Sequence, residues 1–139
     1  MCKASVYAKQ ERRPVVGEKL CISVNEHGHG VAHSPRTSFT ECVVCLKTGD
    51  ELALTLSAEL CAVHGLDGIE HARFIEQPGD EIHMVPDFLE FPNHPDLAPI
   101  AFNKFGNRRL TIEVVRLAGT YYSMELGQMV DTNPEAVAA

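Results

Sequence analysis

The sequence predicts a mainly β fold, a small antiparallel barrel or sandwich with little helix. Three observations carry this expectation. Short segments alternate apolar and polar residues, turn residues separate them at close intervals, and glycines break the one stretch of helical character. Alternation with a period of two gives a strand one buried and one exposed face. The chain has 139 residues, 45% hydrophobic and 22% charged. That composition is ordinary for a globular protein, and the length suits one domain with a sizeable core.

Three segments share a local pattern: Gly17-Glu18-Lys19-Leu20-Cys21-Ile22-Ser23-Val24, Gly49-Asp50-Glu51-Leu52-Ala53-Leu54-Thr55-Leu56 and Gly79-Asp80-Glu81-Ile82-His83-Met84-Val85. Each has a glycine, two charged residues and then apolar residues at alternate positions. The glycine supplies the positive φ that tight turns need. A turn at Lys47-Thr48-Gly49-Asp50 is expected to pair residues 42–46 with 52–56. Gln77-Pro78-Gly79-Asp80 suits a type II turn that pairs residues 72–76 with 81–85. Residues 110–117 alternate, Ala118-Gly119 turns the chain, and residues 120–126 return. With residues 4–8, this makes seven or eight strands. The candidate helix, residues 58–72, is interrupted by Gly65 and Gly68, each costing about 1 kcal/mol in a helix interior.

Two stretches read as irregular. Residues 25–38 hold Gly28, Gly30 and Pro35, and residues 86–107 hold Pro86, Pro92, Pro95 and Pro99 together with Phe88, Leu89, Phe91, Phe102 and Phe105. Proline cannot donate to a sheet ladder, and five large apolar side chains favour burial. The 86–107 loop is therefore expected either to pack across the end of a barrel or to serve as an arm for a protein partner or self-association. Residues 1–126 are expected to form the β-rich domain. The polar, then Ala-rich, residues 127–139 are expected to be a flexible tail that a partner can hold.

Charge is unevenly spread around a net value of −7. Residues 37–100 carry a net −10, between ends of +3 (residues 1–36) and +2 (residues 101–126). A segment this acidic repels phosphate, which opposes nucleic-acid binding. It suits a solvated acidic face or a basic protein partner. The basic ends, Arg12-Arg13 and Arg108-Arg109, leave nucleic-acid recognition as a second alternative if they meet in space. No apolar run approaches the roughly 20 residues needed to cross a bilayer as a helix. Met1-Cys2-Lys3-Ala4-Ser5 lacks the long apolar run of a secretory signal. A cytoplasmic location is the expectation.

The most specific pattern is Cys42-Val43-Val44-Cys45, then fifteen residues, then Cys61-Ala62-Val63-His64. Paired ligands separated by two residues, with 15–20 residues between the pairs, have zinc-site spacing. The predicted turn at Lys47–Asp50 lies between the pairs. A barrel or sandwich carrying a zinc-stapled hairpin at about residues 40–66 follows. This segment resembles a treble-clef or zinc-ribbon module, which implies zinc ligation by Cys42, Cys45, Cys61 and His64. It departs from that pattern in carrying Leu46 after the second cysteine and Gly65 and Gly68 after the second pair. Four protein ligands leave no open position, so such a zinc is structural. Buried thiols or a disulfide are the other uses open to these cysteines.

His27-Gly28-His29-Gly30-Val31-Ala32-His33 offers a second candidate, a three-imidazole metal site with Glu26 as ligand or base. The His27-x-His29 pair is similar to that of cupin barrels, but Ser34, Pro35, Arg36 and Thr37 stand where that family carries an acid. An N-terminal Cys2 could act as a nucleophile. Cys21, among apolar neighbours, reads as core. No phosphate-binding loop, Gly-x-Ser-x-Gly elbow or zinc-protease histidine pair occurs. A non-enzymatic, zinc-stabilised interaction or assembly protein is the leading expectation, with a metal-dependent enzyme using His27, His29 and His33 as the first alternative.

Overall fold

Period-two burial organises the molecule as the alternation requires. A computed structural model of the chain describes residues 8–76, 86–107, 110–123 and 128–131. The strands are β1 (Gln10–Arg12), β2 (Lys19–Val24), β3 (Gly30–His33), β4 (Cys42–Val44), β5 (Glu51–Leu56), β6 (Ile69–Ile75), β7 (Phe88–Glu90), β8 (Ile100–Ala101), β9 (Leu110–Arg116), β10 (Thr120–Ser123) and β11 (Gln128–Asp131). One α-helix, α1 (Ala58–His64), follows β5, and a 3-10 turn, Phe102–Phe105, follows β8. The first nine strands form a curled half-barrel in the order β1-β4-β3-β2-β9-β5-β6-β7-β8. Pairing is antiparallel except between β1 and β4, which run parallel. Strands β10 and β11 pair separately.

The expected mainly β architecture is thus present. Leu52, Leu54 and Leu56 of β5, Ala72 and Phe74 of β6, and Ile112 and Val114 of β9 point into one core with Leu20 and Ile22 of β2. Strand β9 lies between β2 and β5 and joins the two halves of the sheet.

Several local expectations are corrected. The turn at Lys47–Asp50 exists, with Asp50 N donating to Lys47 O at 3.0 Å and Gly49 at φ 99°. It does not close a hairpin between β4 and β5. Strand β4 pairs with β1 and β3, whereas β5 pairs with β6 and β9. Strand β9 has both edges occupied, so residues 120–123 do not return along it and pair with β11 instead. Part of the expected tail is therefore strand. Residues 25–38 contain β3, which forms a hairpin with β2. Helix α1 is short because Gly65 ends it in the left-handed conformation (φ 68°) and Ser57 caps its start, its Oγ accepting from Leu60 N.

The proline-rich segment packs into the molecule as expected, but it is more regular than expected. Between Pro86 and Pro92, β7 pairs with β6 and β8. Leu89, Phe91, Phe102 and Phe105 are buried. Phe102 meets Phe74 edge-on at 5.2 Å. Four of its five large apolar residues are core, which removes them from use as a partner arm. The turn at residues 77–80, the strand at 81–85, residues 4–7, Cys2 and Arg108-Arg109 lie outside the described residues.

Candidate metal centre

Three side chains converge where β6 begins. Because Ala72 and Phe74 face the core, the same register turns Glu70 inward, and its side chain is 2% exposed. A buried carboxylate needs partners. Glu70 Oε2 accepts from the backbone N–H of Asp67 at 2.8 Å and from His94 Nε2 at 2.6 Å. His94 comes from the loop between β7 and β8. There His94 N donates to Phe91 O and Leu97 N to His94 O, both at 2.9 Å, forming turns between Pro92 and Pro99. Asp67, 86% exposed, places Oδ2 4.0 Å from His94 Nε2.

One ligand atom from each of Asp67, Glu70 and His94 lies within 4.8 Å of the others. Two ligand atoms at metal–ligand distances of about 2.1 Å stand roughly 3.0–3.4 Å apart in tetrahedral or octahedral geometry. The 2.6 Å gap must open by about half an ångström and the 4.0 Å gap close by slightly more. The second shift falls on Asp67, whose exposed side chain is free of core packing. Two carboxylates and one imidazole suit zinc, iron(II) or manganese.

The four residues expected to bind zinc do not form a ligand cluster in the structure. Cys42, at the start of β4, and Cys61, in α1 against the core, are half-buried free thiols. Cys45 is disulfide-bonded. The ring of His64 packs on Phe105 at 5.4 Å. Its burial, and then the charge of Lys104, hold its pKa below the ordinary imidazole value. The physical reason is topological. Between β4, at the first pair, and β5, which leads into the helix that carries the second pair, the sheet inserts β3, β2 and β9, a path of about 19 Å along the sheet.

The histidine-rich stretch is likewise dispersed into structural roles. His33 has both ring nitrogens engaged, Nδ1 with the carbonyls of Ser34 (2.8 Å) and Thr37 (2.9 Å) and Nε2 with Ser23 Oγ (2.7 Å). His27 and His29 flank the β2–β3 turn with ring centroids 6.5 Å apart. No ligand cluster forms among the three. Arg12 pairs with Glu18, which pushes the guanidinium pKa up and the carboxyl pKa down. Arg13 pairs with buried Asp50. These two cations therefore arrive already neutralised at the open cleft of about 290 Å³ that they line with Glu11, Cys45, Leu46, Lys47 and Glu76.

Sequence reading missed Asp67, Glu70 and His94. The available signal was a glutamate on the apolar face of a period-two strand, Glu70-x-Ala72-x-Phe74. His94 carried no comparable mark. Comparison with known proteins gives no matching family model, no matching curated protein and no matching solved structure.

Proposed function

We propose that this protein is a non-enzymatic, metal-stabilised β module that acts through contacts with a protein partner, its divalent ion held by Asp67, Glu70 and His94. The observation that carries the reading is the buried Glu70 carboxylate facing His94 across two chain segments. An ion there ties the loop at residues 91–99 to the start of β6, and with it Phe91, which enters the core. Zinc remains the proposed ion, now on an oxygen-rich ligand set. The net −10 of residues 37–100 and the pairing of Arg12 and Arg13 with carboxylates support a protein partner over a nucleic acid.

A second reading rests on ligand count. Three protein ligands leave positions for water, as in catalytic metal sites. Cobalt(II) in place of zinc distinguishes the two, because added azide changes the visible spectrum of an ion with open positions.

Zinc binding is measured by calorimetry and by metal analysis after dialysis. Glu70→Gln and His94→Ala are expected to abolish binding and the zinc-dependent rise in Tm. Cys42→Ser and Cys61→Ser are expected to leave both unchanged. Saturation at a hundredfold excess over Kd contributes about 2.7 kcal/mol. Loss of zinc in the cysteine variants, or no binding by the wild type at micromolar zinc, overturns the proposal.

A further inference from the structure

The candidate metal centre contains a backbone step with chemistry of its own. Asp67-Gly68 is the chain's only Asp–Gly or Asn–Gly pair. It lies between α1 and β6, where the Asp67 side chain is 86% exposed and Gly68 is exposed with it. The outer atoms of the pair are anchored. Asp67 N donates to Glu70 Oε2, and Gly68 O accepts from Leu56 N, both at 2.8 Å. The inner atoms are not. Gly68 N donates to no acceptor among the described residues. Asp67 Oδ2 stands 4.0 Å from His94 Nε2, beyond hydrogen-bond reach.

A nucleophile and an electrophile thus sit side by side in the chain. Attack of Gly68 N on Asp67 Cγ forms an N–Cγ bond, one carboxyl oxygen leaves as water, and the product is a five-membered succinimide. Water then opens the ring. Addition at Cγ restores aspartate, and addition at the former main-chain carbonyl of Asp67 gives isoaspartate. One water leaves and one returns, with no change in oxidation state. Glycine favours the attack because it places no side chain beside its nitrogen, and exposure admits the water. The rearrangement lengthens the backbone by one methylene and shortens the carboxylate arm by the same amount. The new carboxylate no longer has the reach that sets the ligand atoms of Asp67, Glu70 and His94 within 4.8 Å of one another.

We propose that Asp67-Gly68 is a site of spontaneous aspartate-to-isoaspartate rearrangement, and that a bound divalent ion suppresses it. The suppression rests on the ion proposed above for Asp67, Glu70 and His94; the rearrangement does not. An ion holds the carboxylate toward His94 and away from Gly68 N, and a coordinated oxygen does not leave as water. Occupancy therefore preserves the ligand, whereas each rearrangement in metal-free protein removes one. The site keeps a record of the time it has spent without its metal.

The test incubates the full chain, warm and at neutral pH, with zinc or with a chelator. Residue 67 is then read by peptide mapping with electron-transfer fragmentation, which distinguishes the two isomers. Isoaspartate is expected at residue 67 in the metal-free wild type. With zinc at a hundredfold excess over Kd the metal-free fraction is about 1%, so the rate should fall about a hundredfold. Glu70→Gln should rearrange with or without zinc. Gly68→Ala should fold and bind zinc as the wild type does, since a Cβ there meets nothing within 4 Å and the residue has no positive φ, yet it should rearrange roughly tenfold more slowly. The proposal is overturned if the metal-free wild type forms no isoaspartate at residue 67 under conditions that convert a synthetic peptide of residues 64–71. An equal rate in Gly68→Ala overturns it as well. Zinc-loaded protein, its ion confirmed by metal analysis, that rearranges at the metal-free rate overturns the suppression. Protein that takes up no zinc yet rearranges overturns the metal reading and upholds the rearrangement.

Discussion

Removing the Asp50 carboxylate is expected to cost more than any other single polar substitution among the described residues. Asp50 is fully buried, and four hydrogen bonds end on it. Oδ2 accepts from Lys47 N and from Arg13 Nη1, each at 2.8 Å. Oδ1 accepts from Arg13 Nη2 at 3.0 Å and from Ala118 N at 2.9 Å. One side chain thus joins the segment after β1, the turn before β5 and the turn after β9. Asp50→Ala leaves the Arg13 guanidinium, 29% exposed, without its carboxylate and two backbone donors without an acceptor. Breaking a buried pair in this way costs about 3–5 kcal/mol, against a total stability of about 5–15 kcal/mol for a single domain. With a urea m-value of about 2 kcal/mol/M, the midpoint falls by about 2 M. Asp50→Asn is the sharper perturbation. Whichever way the amide turns, its NH2 faces one guanidinium donor and one backbone donor. Asn is therefore expected to cost nearly as much as Ala despite matching Asp in shape. Urea unfolding of both variants, monitored by circular dichroism, provides the measurement. An Asp50→Asn protein within about 1 kcal/mol of wild type would refute the claim that Asp50 acts through four accepted bonds.

Other substitutions test separate parts of the structure. The pKa of Glu18 is held below the ordinary carboxylate value of 4.5 by Arg12, so its contribution is present above that value and is lost as pH falls through the folded-state pKa; Glu18→Gln should flatten this acid limb in a plot of urea midpoint against pH. The depressed pKa of His64 has the same sign: stability it lends is complete above its ordinary value of 6.5 and declines on acidification below it, and His64→Phe, which keeps a ring against Phe105, should remove that decline. Gly106→Ala sets a Cβ 2.3 Å from Val24 Cγ2 at an ordinary φ, so thermal unfolding should show an overpacking loss of about 1–3 kcal/mol. Gly65→Ala has open space around it and meets only the left-handed backbone, predicting about 1–2 kcal/mol.

The fold class was legible because period-two alternation in residues 19–24, 51–56 and 110–116 directly reports one buried face. Strand partners were not legible in the same way. Strand β4 is apolar throughout, with Val43 and Val44 both buried, and nothing in Cys42-Val43-Val44 distinguishes a hairpin with β5 from pairing with β1 and β3. The Cys-x-x-Cys and Cys-x-x-His spacings encode only local proximity. The two pairs become ligands together only if β4 and the helix that carries Cys61 and His64 meet, and in the sheet β3, β2 and β9 stand between β4 and β5, the strand that leads into that helix. Gly65 was read correctly as a break, although its role is to stop a helix that Ser57 starts. The candidate metal centre depends on a contact across twenty-four residues between Glu70 and His94. Only the inward-facing glutamate announced its own half of that contact.

The placement of β9 also sets an order of events during synthesis. Strands β2–β3 with β4, and β5–β6 with β7 and β8, can each pair as their residues emerge. Neither group has the other as a sheet neighbour until residues 110–116 arrive and Leu20 and Leu54 both find Ile112. Joining partners so distant in sequence carries a loop-closure cost that is met before the contacts repay it, which slows folding. A ribosome-bound chain ending before Leu110 therefore presents two half-sheets with open β2 and β5 edges, the form of this protein most exposed to chaperone capture or to mispairing with a second nascent chain.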